Sequence, residues 1–139
     1  MLHLPTQTQD MQQMPQTAQR RVLIAEDNPD LRRIFTHVFQ HHQFSVEIAV
    51  DGAEALAFLA ANQPPDVMIL DVNMPRLNGL EVLAYIRQTP HLEALKVIVV
   101  TGNSVAMDHP DAQHADLFLL KPISINELIT MARRLIADL

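Results

Sequence analysis

Cysteine is absent from the 139 residues, glycine occurs three times, and aromatic residues make up 4%. The missing thiols exclude disulfide scaffolds, thiol nucleophiles and Cys-ligated zinc or iron–sulfur sites in one step. Three glycines leave neither a Gly-rich phosphate cradle nor a P-loop, so nucleotide binding is not expected. Basic side chains are few, 10 against 16 acidic, for a formal net charge of −6. That balance argues against nucleic acid as a direct partner, because phosphate neutralisation needs Lys and Arg. No apolar run approaches the ~18 residues of a membrane span. Residues Met1 to Pro5 have neither the basic nor the apolar region of a secretory leader. A cytoplasmic chain with no membrane partner is the expectation.

What is present is organised. Residues 1–19 hold six glutamines and two prolines without apolar periodicity, the composition of a flexible tail, and one domain is expected over 20–139. Val22 to Ala25 is a short apolar run without alternation, as in a strand buried on both faces. Asn28 then caps a helix with Pro29 at its first position, and Leu31, Ile34, Phe35, Val38 and Phe39 form its apolar stripe. Phe44 to Val50 is the second strand, and Ala53 to Ala61 the second helix. Val67 to Leu70 is the third strand, followed by a helix over Leu80 to Gln88. Val97 to Val100 and Leu117 to Leu120 are the fourth and fifth strands. The last helix starts at Ser124, an N-cap with Glu127 in capping-box position, and buries Ile125, Leu128, Ile129, Ala132, Leu135 and Ile136.

Five apolar strands alternating with helices predict an α/β fold, a doubly wound (βα)₅ with a five-stranded parallel sheet of flavodoxin-like order 2-1-3-4-5. In such sheets ligands bind beyond the carboxyl ends of the strands. The residues at those ends are Glu26 and Asp27, Asp71, Thr101, and Lys121 with Pro122. Singly, Asp71 reads as a turn residue, Asp27 as a helix-capping acid, Thr101 as an ordinary strand residue and Lys121 as a solvated lysine. Together, at the ends of one sheet, they form a pattern.

An acidic pair, an aspartate, a Thr-Gly pair and Lys-Pro, each at its own strand end and in this order, resemble a response regulator receiver domain of two-component signalling, similar to the single-domain chemotaxis type. The resemblance covers Arg21 to Leu139. It implies that Asp71 is the phosphoacceptor, with Lys121 and Thr101 completing the catalytic set. It implies a Mg²⁺ site, with Mn²⁺ as the alternative, built from Asp27, Asp71 and the backbone carbonyl of Asn73, with Glu26 acting directly or through water. The chemistry fits these types: close carboxylates repel unless a cation compensates, and oxygen-only donors suit Mg²⁺. Pro122 is the expected cis peptide. Gly102 leaves room for a phosphoryl group, and Asn73 and Asn103 occupy positions that tune the lifetime of the phosphate.

The resemblance further implies that a partner histidine kinase or histidine phosphotransfer protein supplies the phosphoryl group, so the chain is a phosphoacceptor, not an independent enzyme. Thr101 and Phe118 match the family's switch pair, with Phe118 as plain core the alternative. Output would leave through the fourth helix, fifth strand and fifth helix, to an output protein or a C-terminal effector domain, and a phosphorylation-dependent dimer is allowed. Only 19 residues separate Thr101 from Lys121, and Pro110 interrupts them, so the fourth helix is expected to be short, broken or displaced. His37 and His41, one turn apart, read as a solvated helix face. Two other functions match the pattern less well. A Mg²⁺-dependent phosphohydrolase of the haloacid dehalogenase type would place its nucleophile on the first strand with a second Asp two residues on, whereas Asn73 follows Asp71. A degenerate receiver acting only as a binding module would lack the intact set.

Overall fold

The computed structural model describes residues 19–137. The glutamine-rich segment expected as a tail lies outside them except for its last residue. The elements run β1 (Arg20–Ala25), α1 (Pro29–His41), β2 (Phe44–Ala49), α2 (Gly52–Ala61), β3 (Val67–Asp71), α3 (Gly79–Gln88), β4 (Lys96–Thr101), β5 (Leu117–Leu120) and α4 (Ile125–Ala137). A 3₁₀ turn, Pro90–Leu92, precedes β4, and two more, Ser104–Asp108 and Pro110–His114, fill the β4–β5 connection. All strand pairs are parallel, in the order β2-β1-β3-β4-β5. This is the predicted flavodoxin-like α/β fold.

The pleat explains why the runs are apolar without alternation. Leu23, Ala25, Met68, Leu70, Val97 and Val99 face α2 and α3, while Val22, Ile24, Val67, Ile69, Ile98 and Val100 face α1 and α4. Successive side chains therefore enter opposite cores, and both must be apolar. Phe39 and Phe44 meet edge to face with ring centroids 5.0 Å apart, tying α1 to β2.

Several boundaries and faces differ from expectation. β1 starts at Arg20, two residues before the apolar run, because its ladder with β2 begins at Arg20 opposite Phe44. β2 ends at Ala49 and α2 begins at Gly52, with Asp51 as N-cap. In α1 only Phe35 and Phe39 are fully buried, and Ile34 is 46% exposed on the outer side of the helix. Ser124 Oγ accepts from the Glu127 amide at 3.3 Å, as a cap should. The segment expected to carry a broken fourth helix is the pair of 3₁₀ turns, joined at Pro110. These turns cover the edge strand poorly: no residue of β5 is fully buried, and Leu120 is 42% exposed. His37 and His41 are exposed, as expected of a solvated face.

Candidate functional site

The strand ends bring the acidic residues together. β1 continues past Ala25 through the Glu26 amide, which donates to Ala49 O at 3.1 Å, so Glu26 is drawn into the sheet and is 2% exposed. Asp27 follows it onto the open surface. Asn28 turns the chain into α1, its Oδ1 accepting from the Asp30 and Leu31 amides (2.9 and 3.1 Å), while its own amide donates to Glu26 Oε2 (3.2 Å). Arg32, one turn into α1, donates to the carbonyls of Glu26 (2.9 Å) and Asp27 (3.3 Å) and holds the acidic turn in place.

Asp71 is the last residue of β3 and is buried. The chain returns to it at Gly79, where an added Cβ would overlap the Asp71 carbonyl oxygen. Gly79 also donates to Val72 O (2.9 Å), which closes the Asn73–Asn78 loop over the strand end. Glycine is needed here for close approach of backbone to backbone. An Asn78–Glu81 capping box starts α3 just beyond.

One carboxylate oxygen from each of Glu26, Asp27 and Asp71 lies within 4.8 Å of the other two. Lys121 Nζ stands 3.3 Å from Glu26 Oε1 and 3.7 Å from Asp71 Oδ1. Burial raises the Asp71 carboxyl from 3.8 to about 7, and the neighbouring Glu26 carboxylate adds to the rise. Lys121 and the Asn73 amide, which donates to Asp71 Oδ1 at 3.4 Å, pull the other way and do not offset it. Three acids against one ammonium leave a site short of positive charge. The all-oxygen donor set, one exposed acid at its mouth and this deficit fit a hydrated divalent cation.

Thr101, fully buried at the end of β4, accepts through its carbonyl from the Lys121 amide (2.8 Å) and through Oγ1 from the Asn103 amide (3.1 Å). The Lys121–Pro122 peptide is cis, as expected. A Cβ built on Gly102 meets no atom within 4 Å, so the space beside Thr101 is open with or without a methyl group. Phe118 is half-buried on the α2–α3 core and lines a cavity of about 300 Å³ with Met107, Pro110 and Ala112.

Every residue expected at the strand ends is thus found there, and Glu26, Asp27, Asp71 and Lys121 converge. The supporting residues Arg32 and Gly79 were not anticipated. For Gly79 a signal existed: Asn78-Gly79 with Glu81 three residues past Asn78 spells a helix start. For Arg32 none did, since its partners are backbone carbonyls.

Comparison with known proteins agrees with this arrangement. The response regulator MprA of Mycobacterium sp. strain KMS is 36% identical over 118 residues, 84% of this chain and 50% of that protein. The chain therefore spans about half the length of the curated relatives it matches. The crystal structure of response regulator TrrA from Thermotoga maritima in complex with Mg²⁺-BeF superposes with a TM-score of 0.77 at 28% identity, covering 84% of this chain and 98% of that one. Chemotaxis response regulator CheY4 of Vibrio cholerae gives 0.77 at 28% identity, covering 85% and 99%. Among the described residues no helix is long and apolar enough to cross a membrane. With the model of the response regulator receiver domain matching residues 22–133, and the acid cluster and lysine at the strand ends, this chain belongs to the response regulator receiver domain family.

Proposed function

We propose that the chain accepts a phosphoryl group on Asp71 from a phosphohistidine of a partner histidine kinase or histidine phosphotransfer protein, and reports it through the β5 side of the domain. The observation that carries this reading is the convergence of three carboxylates and one lysine around a buried Asp71. An Asp71 carboxylate oxygen attacks phosphorus, the P–N bond of the donor breaks, and the leaving imidazole nitrogen takes a proton. Lys121 faces the nucleophile and can pair with an equatorial phosphoryl oxygen; charge stabilisation of this kind carries most of such a transfer. Glu26, Asp27, Asp71 and the Asn73 carbonyl would hold Mg²⁺, or Mn²⁺ in its place. When bound, the cation would favour the ionised form of Asp71 and offset the charge of the incoming group. The protein is a phosphoacceptor with no substrate of its own to turn over.

For output, Thr101 Oγ1 and Phe118 form the switch. Thr101 gives up its bond from Asn103 to meet a phosphoryl oxygen, and Phe118 turns into the space behind it. The partner surface is β5 with the two 3₁₀ turns, where Val105, Met107 and Leu120 are exposed apolar side chains. An output protein or effector domain, or a second copy in a phosphorylation-dependent dimer, would cover them.

The test is incubation with acetyl phosphate and Mg²⁺ under intact-protein mass spectrometry. One acid-labile phosphate should appear on the unaltered chain and none on Asp71→Asn. Uptake by the Asn variant would overturn the assignment, and steady hydrolysis of phosphate esters would favour the hydrolase.

A further inference from the structure

We infer that the ion pair between Arg76 and Asp51 is a clamp that positions the loop after Asp71, and through it sets the Mg²⁺ affinity of the acidic site. The inference rests on the reading of Glu26, Asp27 and Asp71 as a cation site. Arg76 Nη2 lies 2.8 Å from Asp51 Oδ2. The Asp51 side chain is only 10% exposed and does two jobs, because its Oδ1 accepts from the Glu54 amide (2.8 Å) and caps α2. Asp51 is therefore held by the helix, and the arginine comes to it.

The loop pays for that approach in its backbone. Arg76 has φ 69°, in the left-handed region that a residue with a Cβ adopts only against steric resistance. Its neighbour Leu77 presses on the start of α2 so closely that a Cβ on Gly52 would overlap the Leu77 carbonyl oxygen. The loop is thus seated on α2 at two adjacent residues, one by charge and one by contact. Its other end is closed by Gly79 against β3, and Val72 O accepts from both Met74 and Gly79 (3.1 and 2.9 Å). Asn73, whose amide already reaches Asp71 Oδ1, follows Val72 at the start of the same loop. Release of the Arg76 anchor would let Asn73 and the Asp71 carboxylate lose their mutual orientation. Arg76 is a positioning residue, since it contacts none of the three acids.

The experiment compares Arg76→Gly and Asp51→Asn by calorimetric titration with Mg²⁺ and by thermal unfolding in EDTA. Glycine adopts φ 69° freely, and Asn is a good N-cap, so each variant deletes the ion pair while keeping the local backbone. Both should weaken Mg²⁺ binding about tenfold, the scale on which outer contacts tune a metal site. The double variant should lose no more than either single one. Simple charge effects predict otherwise: loss of a cation at Arg76 would tighten Mg²⁺ binding, and loss of an anion at Asp51 would weaken it. Unfolding temperatures in EDTA should stay within about 3 °C, because the arginine head is largely exposed. Mg²⁺ affinity within about twofold of the unaltered protein in Arg76→Gly would overturn the clamp alone. Absence of Mg²⁺ binding by the unaltered protein would overturn the cation site and the clamp together.

Discussion

Lys121 is shared between two buried carboxylates, its ammonium lying nearer to Glu26 (3.3 Å) than to Asp71 (3.7 Å). The lysine thus compensates the acidic pair, and on the proposed phosphorylation of Asp71 it would be placed to pair with the new charge. That geometry would give one side chain two successive partners.

Lys121→Ala should therefore separate uptake from signalling. The variant is expected to accept phosphoryl groups from acetyl phosphate more slowly, since Asp71 survives. Amide resonances of Thr101 and Phe118 should shift little on phosphorylation, because the ammonium that would hold the phosphoryl group beside Thr101 is gone. Shifts as large as in the unaltered protein would show that Lys121 has no part in the switch.

Asp71 sets a pH dependence whose sign follows from its environment. The folded carboxyl titrates at about 7 against the ordinary 3.8, so the folded state holds this proton more tightly than the unfolded chain does. Its contribution to stability is fully present below 3.8 and is lost as pH rises through about 7. In EDTA the unfolding temperature of the unaltered protein should fall relative to Asp71→Asn between about pH 4 and pH 7. Mg²⁺ should reverse the difference at the upper end, because it binds the ionised form. A flat difference curve in EDTA would contradict the buried, acid-paired state of Asp71.

Gly79 has no freedom to gain a side chain. Gly79→Ala drives a methyl into the Asp71 carbonyl, which is backbone and cannot swing aside. A loss of about 2–3 kcal/mol is expected in urea unfolding, with weaker Mg²⁺ binding in whatever fraction folds. The matching change at Gly102 should be nearly silent, since open space lies there.

Arg87 staples the region that lacks a full helix. Its guanidinium donates to His114 O (2.8 Å), Leu95 O (2.9 Å) and Asp116 Oδ2 (2.9 Å), and the same Asp116 oxygen accepts from the Val97 amide (2.7 Å). Arg87→Ala removes three of those bonds, leaving Asp116 only the Val97 amide, and should cost about 1–3 kcal/mol. Amide exchange should accelerate first at the start of β4 and in β5. Uniform acceleration across the sheet would assign Arg87 no local role.

The apolar runs, the strand-end residues and the Pro110 break were legible because each is a local pattern. Val67 to Leu70 cannot alternate when both faces are covered, and a proline inside the fourth-helix segment removes a backbone donor wherever that segment lies. The sequence by itself therefore determined the alternation of five strands with helices, narrowed the sheet to the 2-1-3-4-5 order, and gathered Glu26, Asp27, Asp71, Thr101 and Lys121 at one end. Local pattern could not decide that Ile34 faces outward, that Arg76 reaches Asp51, or that Asp71 holds its proton near neutrality. Those outcomes depend on which distant groups the fold brings within a few ångström, and on how much water it removes around them. Charge on Asp71 is the clearest case: its composition is that of any aspartate, and only burial beside Glu26 lifts it to about 7.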